Sequence, residues 1–310
     1  MKAIYLILLF SITSYTYAHG GGQDSNGGHV NRSTGIYHCH QEDCVLPTVI
    51  EPFAPEKIKI ATFNIKVFGK SKLKKPVVMT KLANIIKQFD VVAIQEIKDK
   101  SGSTAPKFLE VINADGSEYD FIISERSGRH ESDKTSQEQY AYFYNTKTIA
   151  TQEFNSLYDD SQNDYFQREP YVASFRVVGG TFDFILITIH TPPDFAVEEM
   201  NALKHVVEWS KAKNPSEDDM IVLGDFNAGC SYASDEEVNS LDIHGAGYKW
   251  IVPNDADTNQ SDQSECAYDR IVITDGANDD YAGEWGVVKI KDKKVSDHHV
   301  VWAEFFTTKD

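Results

Sequence analysis

The chain has 310 residues, 41% of them hydrophobic and 12% aromatic, enough to bury a sizeable core in one large domain with something small beside it. Its formal net charge of -17 argues against a binding mode that relies on a broad basic surface. A polyanion met through bound cations stays open, because carboxylates gathered around divalent metals invert the local field.

The N-terminus, MKAIYLILLFSITSYTYA, carries a lysine, an apolar run from Ile4 to Ile12, and the small residues Thr16 and Ala18 at the end. This is a signal-peptide pattern over residues 1–18, with cleavage after Ala18. A membrane span would need a longer apolar run. The mature protein is therefore expected to be secreted or periplasmic, where the four cysteines Cys39, Cys44, Cys230 and Cys266 favour disulfides over free thiols.

Residues 19–46 form a separate small module, and residues 47–56 a Pro-containing linker to a large domain over 57–310. The module gathers His19, Asp24, His29, His38, Cys39, His40 and Cys44 in a chain that holds only 10 histidines. With hardly any apolar residues it cannot form a core, so order must come from a metal or a disulfide. His38 and His40 alternate on one side of the strand-like YHCH. Together with His29 and either Asp24 or His19 they make a set suited to Zn²⁺, while Cys39 faces the other way and can close a short loop with Cys44. A free amine at His19 makes copper the runner-up. The alternative is a Gly/His-rich leader without order, closed by the small disulfide.

From Lys57 onward the pattern changes to short β-rich runs: IKIATFNI (58–65), VVAIQEI (91–97), YAYFYN (140–145), FDFILITIH (182–190), MIVLGDFN (220–227), YDRIVIT (268–274) and HVVWAEFF (299–306). Helix-like stretches lie between some of them, Pro76 to Phe89 and Ala196 to Lys213. Nearly every strand carries a polar residue at or near its end: Asn64, Glu96, His190, Asp225 with Asn227, Asp269, and Asp297 with His298. Any one of these is ordinary turn chemistry. Six together, rich in Glu and His where turns favour Gly, Pro and Ser, point to a site built on the ends of a rigid sheet.

These residues carry a resemblance. FNIKVFG, VVAIQEIKD, SERSGR, QEQYAYFYN, FQREPYV, IHTPPDFAVEEMNAL, GDFNAGCSY, DADT, CAYDRIV and SDHH follow in the order of the deoxyribonuclease I family, within the endonuclease/exonuclease/phosphatase superfamily, over about Ile58 to Phe306. The resemblance implies an α/β four-layer sandwich, two mixed β-sheets flanked by helices, with the active site in a cleft at one edge. It implies a secreted, divalent-metal-dependent endonuclease that hydrolyses DNA with little sequence specificity, leaves 5′-phosphate ends and acts as a monomer. Glu96 then resembles the principal Mg²⁺ ligand, with Asn64, Asp225 and Asn227 completing the polar floor and Asp297 at the same end of the cleft. His190 is expected to pair with Glu138 and His298 with Asp269, one histidine activating water and the other aiding the leaving oxygen.

The same resemblance puts Lys66, Lys98, Arg168 and Tyr232 at positions that contact the DNA backbone, two of them lysines where arginine is usual. It pairs Cys230 with Cys266. It offers Asp160, Asp164 and Glu169, with the carbonyl of Phe166, as holders of one structural Ca²⁺, and Asp257 with Asp262 as holders of a second. One departure stands out: Ser136 occupies a position where the family has tyrosine, which weakens the expected minor-groove packing. The same core also serves phosphatases of inositol lipids and sphingomyelinases. A catalytically inactive secreted binding protein is the non-enzyme alternative, and the retention of both histidines with all their carboxylate partners speaks against it.

Overall fold

The computed structural model describes residues 28–30, 37–39, 41, 44, 54–128 and 136–309. The chain divides into two units, residues 1–51 and 52–310. In the first, strand β1 (Gly28–Val30) pairs antiparallel with β2 (Tyr37–Cys39), and the register sets His29 opposite His38. The Cys39–Cys44 disulfide closes the short loop after β2. His19, Asp24, His40, the signal sequence and most of the linker lie outside the described residues.

The second unit runs β3 (Lys57–Phe68), α1 (Lys70–Leu73), α2 (Pro76–Ile86), β4 (Val91–Ile97), α3 (Thr104–Ile112), β5 (Tyr119–Ile123), β6 (Gln139–Asn145), β7 (Ile149–Leu157), β8 (Tyr171–Val177), β9 (Asp183–His190), α4 (Ala196–Lys213), β10 (Met220–Asp225), α5 (Asp235–Asn239), β11 (Tyr248–Trp250), β12 (Asp269–Thr274), β13 (Tyr281–Val288) and β14 (Val300–Phe306). Two six-stranded mixed sheets result, β13-β14-β3-β4-β6-β5 and β11-β12-β10-β9-β8-β7. In each, one central pair is parallel, β3 with β4 and β9 with β10, and its outer neighbours are antiparallel.

Side-chain alternation builds the layers. Ile58 and Ile60 of β3 face Phe184 and Leu186 of β9 and Ile221 and Leu223 of β10 in one inter-sheet core. The intervening Ala61, Phe63 and Ile65 pack instead under α2 and α3, through Val78, Met79, Leu82, Ala83, Ile86 and Phe108. Ile185, Ile187 and Val222 do the same under α4, through Met200, Leu203 and Val206. The four layers are those the resemblance implies. No helix among the described residues is long and apolar enough to cross a membrane.

Two central strands approach closely at Gly224, whose φ is +153° and whose Cβ position would lie 2.0 Å from the carbonyl oxygen of Ile189. No side chain fits there without parting the parallel pair that carries His190 and Asp225. We expect Gly224→Ala to cost about 3 kcal/mol or more in denaturant unfolding. Gly245→Ala, where an added Cβ meets nothing within 4 Å, should leave the midpoint near that of the parent.

Candidate active site

The C-terminal ends of the parallel strands and the N-terminal ends of their antiparallel neighbours fall at one edge of the sandwich. Asn64, His190, Asp225 and Asp269 sit there, each continuing the alternation of its strand's inward-facing residues. The hydrophobic stripe of each strand thus ends in a polar rung aimed between the sheets. Glu96 is the exception, since alternation alone would turn it toward the helices; its φ of +62° brings it back to the cleft.

Asp225 is the centre. Its Oδ2 accepts a hydrogen bond from Asn64 Nδ2 at 2.9 Å and lies 3.5 Å from His190 Nε2 and 3.4 Å from His298 Nε2. Burial pushes its carboxyl up, but His298, His190 and the Asn64 amide outweigh that and hold it below the usual range. Asn64 Nδ2 also donates to Glu96 Oε1 at 3.1 Å, so one amide joins the two carboxylates. Glu96 Oε2 accepts from the Val67 amide at 2.8 Å, and Asn64 Oδ1 from the Lys66 amide at 2.9 Å. A bulge in β3 between Asn64 and Phe68 puts Lys66 and Val67 at positive φ to make these contacts.

Each imidazole is oriented from behind. His190 Nδ1 meets Glu138 Oε1 at 2.8 Å, and His298 Nδ1 meets Asp269 Oδ2 at 2.9 Å. Burial opposes a charge on His298, yet Asp269 and Asp225 overcome it and raise its pKa to about 10. Glu138 is fully buried and burial favours its neutral form, but His190, Arg168 and Lys98 together hold it well below the carboxylate range.

One expectation, an open DNA-facing Arg168, is corrected by this geometry, and the other expected residues have the partners that follow. Lys98 is paired with Glu138 at 2.7 Å. Arg168 is only 4% exposed and donates through Nε and Nη2 to the carbonyl of His190, at 2.9 and 2.7 Å. Arg168 supports the Glu138–His190 pair from the interior, while Lys98 pairs with Glu138 with its side chain still 29% exposed. Asp297, expected at the metal, is ion-paired with Lys66. Tyr232 is 40% exposed and is linked to His298 through the ring of Tyr268, with centroid separations of 5.4 and 6.2 Å. Asn227 donates to the carbonyl of Thr191 at 2.8 Å, which fixes the loop after β10.

The Cys230–Cys266 disulfide is formed and ties that loop to the segment before Asp269. Asp160, Asp164 and Glu169 do line one cavity of about 260 Å³. Asp160 Oδ1 is buried there without a hydrogen-bond partner among the described residues, and a hard cation suits such an oxygen. Asp257 and Asp262, offered as holders of a second ion, are ion-paired with Lys289 and, at 3.7 Å, with Lys293.

Sequence reasoning missed three supports. Ser296 Oγ donates to the carbonyl of Asn64 at 2.6 Å and accepts from the amide of His298 at 3.0 Å. Thr258 Oγ1 accepts from the amide of Asp269 at 3.0 Å. Arg270, fully buried, donates to the carbonyls of Ala228 at 2.5 Å and Val252 at 2.9 Å. Only Arg270 left a trace, as a charge set directly before the apolar run Ile271 to Ile273.

Comparison with known proteins places this geometry. Residues 61–298 match the Endonuclease/Exonuclease/phosphatase family. Deoxyribonuclease gamma of Homo sapiens is 33% identical over 223 residues, covering 70% of this chain and 72% of its own. Deoxyribonuclease-1 of Bos taurus is 29% identical over 261 residues, covering 79% and 90%. Among solved structures, D. rerio TDP2 complexed with single strand DNA product superposes with a TM-score of 0.55 at 17% identity, over 82% of this chain and 100% of that one.

Next to the site, Glu199 of α4 accepts from the Gln167 amide at 2.7 Å and is buried. Burial, opposed by that hydrogen bond and by Arg168, raises its pKa from 4.5 to about 8. A folded-state pKa above the unfolded one gives stability that is complete below pH 4.5 and lost as pH rises through about 8. With calcium chelated, Glu199→Gln should melt with the parent at pH 5 and several degrees above it at pH 9. Equal melting curves at both pH values would refute the buried neutral acid.

Proposed function

From the premise that this chain belongs to the Endonuclease/Exonuclease/phosphatase family, in its deoxyribonuclease I branch, we propose that it is a secreted or periplasmic, divalent-metal-dependent endonuclease. On this reading it nicks DNA with little sequence preference, leaves 5′-phosphate ends and works as a monomer after cleavage near Ala18. The observation that carries the reading is the convergence of two carboxylate-backed imidazoles on one side of Asp225. A binding protein on this fold has no use for two such buried carboxylate–imidazole pairs. A lipid or inositol phosphatase remains the second reading only through the shared core.

Glu96 and Asp225, joined by Asn64, would hold the cation, and the donor set fits a hard ion that keeps several waters. When bound it would supply charge stabilisation at the phosphate. The rest is the work of the chain. Glu138 accepts a hydrogen bond from Nδ1–H of His190, which leaves Nε2 to take a proton from the attacking water. As the water oxygen bonds to phosphorus, the bond to the 3′ oxygen breaks. His298, protonated at neutral pH, gives its Nε2 proton to that oxygen. The products are a 5′-phosphate and a 3′-hydroxyl.

Purified protein should convert supercoiled plasmid to nicked circles, and chelator should abolish the reaction. His190→Ala and His298→Ala should each lower kcat by about two to four orders of magnitude without loss of fold. A 3′-bridging sulfur, which leaves without a proton, should restore His298→Ala far more than His190→Ala. Equal rescue of the two variants would overturn the division of roles, and sphingomyelin or inositol-phosphate hydrolysis without DNA cleavage would overturn the substrate.

For the N-terminal module we keep zinc, which the His29–His38 register supports. Metal analysis of the mature chain should find one extra Zn²⁺ that His38→Ala with His40→Ala removes, while plasmid nicking continues. Absence of zinc and copper from the mature chain would rule the site out.

A further inference from the structure

In a chain of net charge -17, residues 66–81 carry six lysines and no carboxylate, and residues 289–294 carry four lysines and only Asp292. These two segments are far apart in sequence and adjacent in the fold. Lys72, buried, donates through Nζ to the carbonyls of Ile65 at 2.6 Å, Lys66 at 2.8 Å and Val295 at 2.7 Å, and so ties them together. Lys81 and Asp292, paired at 2.7 Å, make a second tie. Between the ties lies an open concavity of about 590 Å³, floored by Pro76, Val77 and Val78 and rimmed by Lys75, Lys81 and Lys294.

Eleven lysines among the described residues form ion pairs with carboxylates. Lys74, Lys75, Lys291 and Lys294 of these two segments form none with any described residue, and all four are exposed. Burial lowers the pKa of Lys72 to about 8 against the pull of Glu96 and Asp297, and Lys75 and Lys66 push it the same way. Clustered cations that the protein leaves uncompensated, despite its surplus of acid, mark a surface for a polyanion. The patch is also continuous with the cleft. The chain leaves Asn64 on the floor, bulges through Lys66, and enters α1 and α2, while the second segment returns to Asp297 and His298.

We propose that this lysine surface is a second contact for the phosphodiester backbone, holding DNA that extends beyond the scissile step on the β3–α2 side of the cleft. The inference rests on the nuclease reading and adds to it. The cleft alone would then act on any short duplex, and the flank would give preference for long DNA. Its contribution is electrostatic and sequence-independent, so it weakens with salt as counterions compete.

The test compares the full chain with its Lys74→Glu, Lys75→Glu, Lys294→Glu triple variant on supercoiled plasmid and on a hairpin of about eight base pairs, roughly 27 Å long. A Lys211→Glu, Lys213→Glu variant at the end of α4 serves as the charge control, and melting temperatures report folding. On plasmid at 0.15 M salt, kcat/KM of the triple variant should fall about tenfold or more. Its log–log salt slope should become shallower by about 2 to 3, near 0.9 for each phosphate that the variant no longer neutralises. On the hairpin it should match the parent within about twofold, and the control should match the parent on both substrates. Unchanged plasmid kinetics would overturn the proposal. So would an equal loss on both substrates, which means a general field on the cleft, or an equal loss in the control. Loss of binding to phosphatidylglycerol vesicles with intact plasmid kinetics would assign the surface to a membrane instead. Failure of the parent to cut either DNA would sink the nuclease reading itself, an outcome distinct from all of these.

Discussion

The contacts that organise the cleft cross from one sheet to the other. His190 stands on β9 and is oriented by Glu138, which precedes β6 of the opposite sheet; His298 precedes β14 and is oriented by Asp269 of β12. Asn64 reaches from β3 to Asp225 of β10 in the same way. The relative slide of the sheets is set deeper down, where Gln95 of β4 donates to Thr62 at 3.0 Å and to Thr188 of β9 at 2.8 Å. A shift by one rung would break that bridge and part both histidines from their carboxylates. Buried polar groups of this kind cost stability when left unpaired, so they lock one packing of the two sheets.

Burial explains why some cations serve the interior. Glu138 is fully buried, and a carboxylate taken out of water keeps its charge only with close positive partners. Lys98, Arg168 and His190 provide them. Of the four residues that resembled DNA contacts, Arg168 is therefore required in the interior and Lys98 is tied to Glu138, where both set the field at His190. The exposed lysines of the β3–α2 flank fit its assignment as the outer contact for the backbone.

The floor itself is held in unfavourable backbone. Lys66, Val67, Glu96 and Asn227 all have positive φ, and Val67 is β-branched, so the left-handed region costs it more than most residues. Such conformations persist where the surroundings over-determine them. Here the Asn64 and Glu96 side chains fix the amides of Lys66 and Val67, and the Cys230–Cys266 link restrains the loop after Asn227.

Much of the fold was legible because strands and helices wrote their period plainly. The runs at 91–97 and 196–213 coincide with β4 and α4, and the inward stripe of each central strand ends in the polar residue singled out from sequence. The run at 220–227 stops at Asp225, since Asn227 must turn into the left-handed region. Strands β5, β7, β8, β11 and β13 escaped notice: polar residues interrupt TQEFN, a proline opens the approach to β8, two glycines break YAGEWGVV, and β11 is only three residues long. The carboxylate partners of both histidines were named through the resemblance, and the strand ends themselves through composition. What sequence could not assign was the direction in which each charge faces. Whether Lys98 and Arg168 meet solvent or Glu138, whether Lys289 fills the place of a cation beside Asp257, and whether two lysine runs more than two hundred residues apart share one surface all depend on which atoms become neighbours across the sheets. That proximity sets desolvation and Coulomb energy, and only the tertiary structure supplies it.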